Sequence, residues 1–463
     1  MSRYNTKGLT IIQSALLIGY GIASCYVPIL VTVLWIAIFF ITVFALFKDR
    51  QEWIWYCIAA SPMLEVWSRM VKGVVLMDEV GKYYLLLAIL CIFIYQRRQG
   101  AAKPQYNIGA ILFFCVLPSL FVNLSTFNSE QWVFNILSLL ELSALLTLAT
   151  RERWDIERFA RTLQFGLMPI AFVVIYMVYK NPSLSGVNFT LGANFDTAAG
   201  GTNQVATVLG MSILFIMLLL LLKRPIVSIK WISYVLLAYL FFRSFLTFSR
   251  GGVFAAIVCV VIAVGFASSA NAKTFIRNIA ILVGFVIVGA IIFTNVDAIT
   301  NNLLSQRYRG ETIATISGEQ EKTWNKVTSG RSSLIKADLN IFKDNFLFGV
   351  GPGGAKEYRT QYGAPPDSAA HTEVTRLMSE HGLGGLLAAL AFLLFPIYWI
   401  RRQRYRLWMG VTGALFCMAI LTSSHSATRT NTMAVCYTLA SIPVFVRTQK
   451  KREQEAQYNI HRQ

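Results

Sequence analysis

The stretch TNQVATVLGMSILFIMLLLLL at residues 202–222 is followed at once by Lys223 and Arg224. It contains no charged residue, and it is about as long as a helix must be to cross a hydrocarbon core of ~30 Å. Basic residues directly after such a stretch are typical of a transmembrane helix that ends at the cytoplasmic side. This segment predicts a helical membrane protein.

The rest of the chain has the same character. Of its 463 residues, 55% are hydrophobic and 14% are charged, with a mean hydropathy of +0.54; soluble domains are about 25% charged. The short apolar–polar alternation of β-barrel spans is absent from the sequence. We therefore predict an all-α polytopic membrane protein. Its candidate spans lie at 8–25, 28–47, 53–70, 81–96, 107–126, 131–150, 159–179, 202–222, 231–248, 252–270, 278–295, 379–400, 407–423 and 431–446.

The number of spans is predicted as twelve to fourteen. The first two are separated only by a turn before Pro28, and the third is interrupted by Glu65 and Arg69. The chain then divides into a transmembrane part at 1–295 with the first ten or eleven spans, a large outer loop at 296–378, C-terminal spans at 379–446 and a basic tail at 447–463.

The formal net charge of +19 would suit a nucleic-acid-binding protein, but the basic residues stand in clusters between the apolar spans. If the N-terminus is cytoplasmic, every cluster falls on the cytoplasmic side, as the positive-inside rule requires. An even number of spans then places both termini in the cytoplasm. We expect membrane lipids as partners and no nucleic acid. The clusters are Lys48/Arg50, Arg97/Arg98/Lys103, Arg151/Arg153/Arg158, Lys223/Arg224/Lys230, Lys273/Arg277, Arg401–Arg406 and Arg447/Lys450/Lys451/Arg452.

Cysteine chemistry is not expected, because all seven cysteines fall within apolar segments and none within the long loop. That loop is polar and nearly balanced in charge. Within it, apolar residues recur at helical spacing from Arg331 to Phe348. We predict an amphipathic helix there, lying at the membrane surface.

Arg250 is the leading candidate for function, since it stands between two apolar spans in the run Leu246–Gly252. One interpretation is an interfacial arginine whose charge reaches toward lipid headgroups. The other is a phosphate-binding arginine, because the planar guanidinium matches phosphate oxygens. The two glycines that follow it would let backbone and ligand approach closely.

Two further motifs lie in the outer loop. Ser329-Gly-Arg331 opens the amphipathic stretch, and the glycine run Gly349–Gly354 follows it. The run contains a proline and lacks the strand–turn–helix context of a dinucleotide loop, so a structural turn is favoured.

His371 stands shortly before the span that leaves the loop, and a histidine can act as a general base near neutral pH. A structural, hydrogen-bonded histidine is the alternative. Glu380 and His381 follow and are interpreted as possible helix-end residues. The zincin pattern H-E-x-x-H is absent from this stretch, so no metal site is predicted. Two arginines and a histidine on one face would suit the binding of a diphosphate leaving group and the deprotonation of a hydroxyl nucleophile.

At these residues the chain resembles the O-antigen ligase and O-antigen polymerase superfamily of bacterial membrane glycosyltransferases. The resemblance rests on Ser249–Gly252 at a span boundary, Ser329–Arg331, Asn345–Gly351, and the stretch from His371 to Gly385 that leads into a span. It implies a GT-C-like helical fold in the bacterial inner membrane. It also implies an active site on the periplasmic face and a donor glycan carried on undecaprenyl diphosphate.

The resemblance also implies roles for residues. Arg250 and Arg331 match the arginines assigned to the diphosphate, and His371 matches the histidine assigned to activating the acceptor hydroxyl. Family members often have Asn after that histidine where this chain has Thr372, so no role is carried over to position 372. The enzyme would need neither a metal nor a cofactor.

The function that this implies is that of an O-antigen ligase, which transfers the glycan to a sugar hydroxyl of lipid A–core in lipopolysaccharide biosynthesis. The principal alternative is an O-antigen or exopolysaccharide polymerase that uses the same donor. A glycan ligase acting on protein and a transporter or flippase are further alternatives. Against a transporter, the sequence lacks paired interrupted spans in matching halves.

Overall fold

The computed structural model describes residues 8–72, 79–100, 107–122, 129–184, 186–229, 231–268, 272–311, 313–318, 330–365, 372–426 and 430–445. These residues are mostly helical. The α-helices in chain order are α1 (Ile11–Tyr26), α2 (Ile29–Phe47), α3 (Gln51–Val71), α4 (Val80–Arg98), α5 (Ile108–Val116), α6 (Ser129–Ala149), α7 (Ile156–Leu167), α8 (Ile170–Lys180), α9 (Phe195–Ala198), α10 (Thr202–Leu221), α11 (Ile232–Leu246), α12 (Arg250–Ala267), α13 (Ala272–Ile299), α14 (Leu303–Arg309), α15 (Ile313–Ile316), α16 (Arg331–Asp344), α17 (Ala355–Tyr358), α18 (Glu373–Arg401), α19 (Arg406–His425) and α20 (Thr432–Ser441). Short 3₁₀ turns lie at Leu117–Phe121 and Arg359–Tyr362, and the strands are β1 (Trp154–Asp155) and β2 (Val444–Phe445).

Nine helical segments among the described residues are long and apolar enough to cross a membrane, and four shorter apolar helices accompany them. Each span predicted from the sequence coincides with one of these helices, or with α3. The segment predicted at 159–179 is broken at Met168 and Pro169 into α7 and α8. The predicted class, an all-α polytopic membrane protein, is confirmed.

Helix α3 shows how a charged span can be accommodated. It is continuous from Gln51 to Val71, and the side chain of Glu65 is fully buried within the bundle. The carboxylate pairs with Arg69 at 2.5 Å and accepts a hydrogen bond from the backbone N–H of Asn431 at 3.2 Å. Because buried charges are tolerated when they are paired and hydrogen-bonded, the two charged residues do not interrupt the helix.

Contacts between loops agree with the predicted alternation of sides. β1 and β2 pair in parallel, which joins the loop after α6 to the segment after α20. Arg224 after α10 forms an ion pair with Glu157 at 2.8 Å. The loops after α6 and α10 were predicted to lie on the cytoplasmic side, and β2 lies at the end of the last predicted span, next to the basic tail. The structure therefore brings these three segments together at one end of the bundle.

Helices α10, α12 and α19 form a closely packed group. A Cβ atom added at Gly252 would lie 1.9 Å from the carbonyl oxygen of Ala206, and one at Gly210 would lie 2.3 Å from the carbonyl oxygen of Gly252. At the other end of α12, a Cβ at Gly410 would lie 2.4 Å from the carbonyl oxygen of Ala263. Small residues of this kind let membrane helices approach backbone to backbone.

The amphipathic helix predicted in the long loop is present as α16, which ends at Asp344 rather than Phe348. Its apolar side chains Leu334 and Ile341 are buried against the loop's own later segment, including Val350 and Ala364. The apolar face is thus covered by protein, and a location at the membrane surface stays a prediction.

Helix α18 begins at Glu373, within the segment assigned to the outer loop. It is broken at Gly382, whose φ of 57° and ψ of −136° lie outside the helical region. This break lies three residues after the predicted start of the span at 379. The helix therefore enters the bundle in two parts, of which the first packs on α16.

Candidate functional site

Arg250 is the first residue of α12, and a short turn after α11 places it there. Phe248 has a positive φ of 55° and a fully buried side chain that stacks on Phe189. The hydroxyl of Ser249 donates a hydrogen bond to the side-chain oxygen of Asn203 at 2.9 Å. The turn is therefore held by packing and by α10, and Arg250 lies half-buried at the helix end instead of extending freely into solvent.

The two glycines after Arg250 serve helix packing. A Cβ at Gly251 would lie 2.5 Å from the imidazole ring of His425, while one at Gly252 would lie 1.9 Å from the Ala206 carbonyl oxygen. The sequence had suggested that these glycines let backbone and ligand approach closely. The structure accounts for both by the approach of α10 and of the end of α19.

His425, which the sequence analysis did not single out, connects the two predicted arginines. Its Nδ1 donates to the carbonyl oxygen of Leu421 at 2.8 Å, and its Nε2 lies 2.9 Å from the hydroxyl of Thr207. Its backbone carbonyl oxygen accepts a hydrogen bond from Nη2 of Arg331 at 3.5 Å. With both ring nitrogens engaged, His425 holds helix ends together and is poorly suited to act as a general base. The only sequence signal was a rare histidine at the end of a span.

Arg331 is the first residue of α16, after Gly330 at a φ of 81°. Since His425 touches both Gly251 and Arg331, the structure brings the beginnings of α12 and α16 to one place. Arg250 and Arg331, which the sequence predicted to act together, thus lie at neighbouring helix ends.

Both arginines also stand at helix N-termini. The N-cap residues, Ser249 and Gly330, make no side-chain cap to the first turn of their helices. The N-terminus of a helix carries partial positive charge, which favours anions. The partial positive charge at each helix N-terminus and the positive charge of each guanidinium group therefore both attract an anion.

His371 lies outside the described residues, so the structure does not place the predicted base. The next residue, Thr372, bonds through its hydroxyl to that of Thr375 at 2.6 Å, and Thr375 donates to Asp338 at 2.9 Å. Asp338 also accepts from Nε of Arg359 at 2.7 Å, and both members of this ion pair are buried. Thr372 is thus tied to α16, the helix that Arg331 begins.

The start of α18 is further fixed by a buried ion network. Arg376 donates to Glu373 and, at 2.7 Å, to Glu380, and it also donates to the side-chain oxygen of Asn135 at 2.7 Å. All three charged side chains are at most 5% exposed. This network ties the first part of α18 to α6.

Glu380 and His381 are buried structural residues. Nδ1 of His381 lies 2.5 Å from the hydroxyl of Ser119. The backbone N–H groups of Val350 and Gly351 donate to the carbonyl oxygens of Ser379 and Glu380 at 3.0 and 2.9 Å. The glycine run thus binds the residues just before the break in α18 through its backbone N–H groups. This agrees with a structural turn rather than a dinucleotide loop.

A second feature that the sequence analysis missed is α14, which carries Arg307 and Tyr308. Burial and the positive charges of Arg250 and Arg331 lower the pKa of Arg307 from its ordinary value. Three arginines from three helices therefore lie within electrostatic range of one another. The sequence offered no signal for Arg307, because it belongs to none of the recognised motifs and its neighbours are distant in sequence.

Such a concentration of positive charge can bind a polyvalent anion and stabilise charge that develops on it. Within the described ranges, no three His, Cys, Asp or Glu side chains come together to hold a metal ion. Independence from metals stays a prediction.

Comparison with known proteins found one similar family, for the segment that contains most of these residues. Residues 235–390 match the family model described as O-antigen ligase. Searches of curated proteins and of solved structures gave no match to the chain. The matched segment contains Arg250, Arg307, Arg331 and position 371. The resemblance seen in the sequence is thereby confirmed for this segment, which is similar to the O-antigen ligase family.

Proposed function

We propose that this protein is an O-antigen ligase that transfers a glycan from undecaprenyl diphosphate to a sugar hydroxyl of lipid A–core. The observation that carries the proposal is the convergence of Arg250 and Arg331 at His425, within the segment that matches the O-antigen ligase family. Two arginines at two helix N-termini make a site for an anion that is bound at the surface of a helical bundle.

In the proposed reaction, Arg250 and Arg331 hold the two phosphates of the donor. The bond between the anomeric carbon and the diphosphate oxygen breaks, and its electron pair remains on that oxygen. The acceptor hydroxyl oxygen forms the new glycosidic bond, and His371 takes its proton as general base. The arginines stabilise the leaving diphosphate more strongly than the bound donor, because its charge is greater after bond cleavage.

The hydrogen-bonded chain from Thr372 to Asp338 supports the role of His371. It ties the residue after the proposed base to the helix that begins with Arg331. A base and a leaving-group contact on elements fixed to each other would keep their separation during the reaction, which is the structural requirement for proximity catalysis.

The setting of the reaction follows from the predicted topology. Arg250, Arg331 and His371 all belong to segments predicted on the outer face, and we propose that the site faces the periplasm of a bacterial inner membrane with both termini in the cytoplasm. The partners are then the lipid-linked donor, the lipid A–core acceptor and surrounding membrane lipids. Neither a metal nor a cofactor takes part in the proposed steps.

The glycans of a strain that lacks this protein test the proposal. We expect full-length polymer to remain on its lipid carrier while attachment to lipid A–core is lost, and the wild-type chain should restore attachment. Accumulation of single lipid-linked repeats would instead identify a polymerase. Normal glycans in the deletion strain would contradict both enzymes. A strain restored with His371→Ala, at equal membrane abundance, serves as the control for catalysis.

A further inference from the structure

Helix α14 is held against the end of α13. The carboxylate of Asp297, near the end of α13, accepts a hydrogen bond from the backbone N–H of Ser305 at 2.8 Å. Leu304 is fully buried, and Gly310 ends the helix at a φ of 77°. A short helix with an anchor at each end has little freedom to turn, so the positions of its side chains are set by the fold.

Tyr308 connects α14 to the site. Its ring packs against Phe293 of α13 and Phe245 of α11, with centroids 5.5 and 6.3 Å apart. Burial raises the pKa of its hydroxyl, and the nearby charge of Arg250 opposes that rise. The hydroxyl oxygen is buried and makes no hydrogen bond within the described part of the chain. A buried polar atom without a hydrogen-bond partner is unfavourable, and a donor or acceptor on a bound ligand would offset that cost.

Arg307 has a similar unsatisfied group. Its Nε is buried and makes no hydrogen bond to any described residue, and its side chain is only partly exposed. None of the ion pairs among the described residues includes Arg307. Instead, burial and the positive charges of two other arginines lower the pKa of its guanidinium. Like charges held together in a partly buried site are unfavourable unless an anion binds between them.

We propose that Arg307 is a third cationic contact to the diphosphate, with the Tyr308 hydroxyl as an additional donor, and that its role is to stabilise the charge that appears on the leaving oxygen. This inference rests on the proposed function. A sugar-linked diphosphate diester carries one negative charge on each phosphate. When the glycosidic bond breaks, the terminal phosphate gains a further charge, and a third arginine matches it.

The inference distinguishes Arg307 from a residue that only binds substrate. An interaction that strengthens as the bond breaks contributes to the rate of the chemical step. We therefore expect Arg307→Gln to lower kcat more than it changes the KM for the donor. Binding of a highly charged free diphosphate should weaken about tenfold or more, which corresponds to about 1.4 kcal/mol or more.

The test uses the full-length protein in lipid nanodiscs, with inorganic pyrophosphate and inorganic phosphate as probes. Arg307→Gln, Tyr308→Phe and the matched control Arg309→Gln are compared with wild type for probe binding and for transfer kinetics. Arg309 lies on the same helix and is exposed. The expected result is weaker pyrophosphate binding and a lower kcat in Arg307→Gln, a smaller loss in Tyr308→Phe, and wild-type behaviour in Arg309→Gln.

Three other outcomes would overturn the inference. Wild-type kinetics and pyrophosphate binding in Arg307→Gln would remove Arg307 from the site while leaving Arg250 and Arg331 in place. An equal loss in Arg309→Gln would show a general effect of surface charge. A wild-type protein that binds no pyrophosphate and transfers no glycan would overturn the proposed function itself, and this inference with it.

Discussion

The Nη2 atom of Arg331 donates a hydrogen bond of 3.5 Å to the backbone carbonyl oxygen of His425. The imidazole ring of the same histidine packs against Gly251, which follows Arg250 in the sequence. One residue at the end of α19 therefore fixes the relative positions of two arginines that belong to distant parts of the chain. A site for an extended anion such as a diphosphate needs that fixed separation, because its two phosphates are held at once.

Arg250→Lys should reduce glycan transfer severely, by roughly 100-fold or more in kcat if the guanidinium contacts the leaving group. A lysine keeps the charge but presents an ammonium in place of the planar fork that can bind two phosphate oxygens. Transfer from a lipid-linked donor by the purified protein measures the effect. Arg153→Lys, at an exposed position on the predicted opposite face, is the control and should keep wild-type activity. Near-normal turnover of Arg250→Lys would favour an arginine that only reaches toward lipid headgroups.

His371→Ala should abolish transfer while expression and membrane insertion stay normal. A positioned general base contributes roughly 10²–10⁴-fold to a rate. The other two histidines among the described residues are poor candidates, because both ring nitrogens of His425 are hydrogen-bonded and His381 is buried against Ser119. Surface glycans and protein abundance in membranes are measured together. Thr372→Ser retains the hydroxyl that bonds to Thr375 and serves as the control. Glycan attachment by His371→Ala at wild-type abundance would remove the general-base role.

The helices were predictable from the sequence because each span is a local run of apolar residues whose length the membrane dictates. The start of α16 at Arg331 was likewise visible in local spacing, although its end was not: the chain leaves the helix at Asn345 and returns through Gly349 at a φ of 67° to contact the break in α18. That contact joins residues that are distant in the sequence, so no local sequence pattern predicts it.

The candidate site was predictable only in part, because it also depends on contacts between residues that are distant in the sequence. Arg250 and Arg331 stand in recognisable motifs, and both lie within 235–390, the segment that matches the O-antigen ligase family. Arg307 and His425 have no such motif. His425 matters because it contacts Gly251 of α12 and Arg331 of α16, and Arg307 because the charges of Arg250 and Arg331 act on it. The role of Gly251 also required the structure, because the atom that excludes a side chain there belongs to His425.

Gly251→Ala and Gly252→Ala should each destabilise the protein. The added Cβ would lie 2.5 Å from the His425 ring in the first case and 1.9 Å from the Ala206 carbonyl oxygen in the second. Overpacking of this kind costs about 1–3 kcal/mol or more, and the backbone contact at Gly252 leaves less room to adjust than the side-chain contact at Gly251. The apparent melting temperature in detergent is expected to fall further for Gly252→Ala than for Gly251→Ala.

The matched control for these glycines is on the same helix. A Cβ at Gly265 meets nothing within 4 Å, and alanine is favoured over glycine in a helix by about 1 kcal/mol. Gly265→Ala should therefore keep or slightly raise the melting temperature. Equal melting temperatures for all three variants would show that α10, α12 and α19 do not pack as closely as described.

Asp338→Asn should weaken both the fold of the outer loop and the activity, because Asp338 joins α16 to Arg359 and to Thr375. The Asp338 and Arg359 side chains are 1% and 2% exposed, so loss of the carboxylate charge breaks a buried ion pair. Removal of one member of a buried ion pair typically costs about 3–5 kcal/mol. Lowered melting temperature and lowered transfer are expected together, since α16 also begins with Arg331.

Lys343→Ala, at an exposed position on the same helix, should change neither. In the double variant Asp338→Asn/Arg359→Met the loss of stability should be smaller than the sum of the two single losses, because each single variant already removes the interaction between the two side chains. Strictly additive losses would mean that the two side chains do not interact, and that some other contact holds α16 in place.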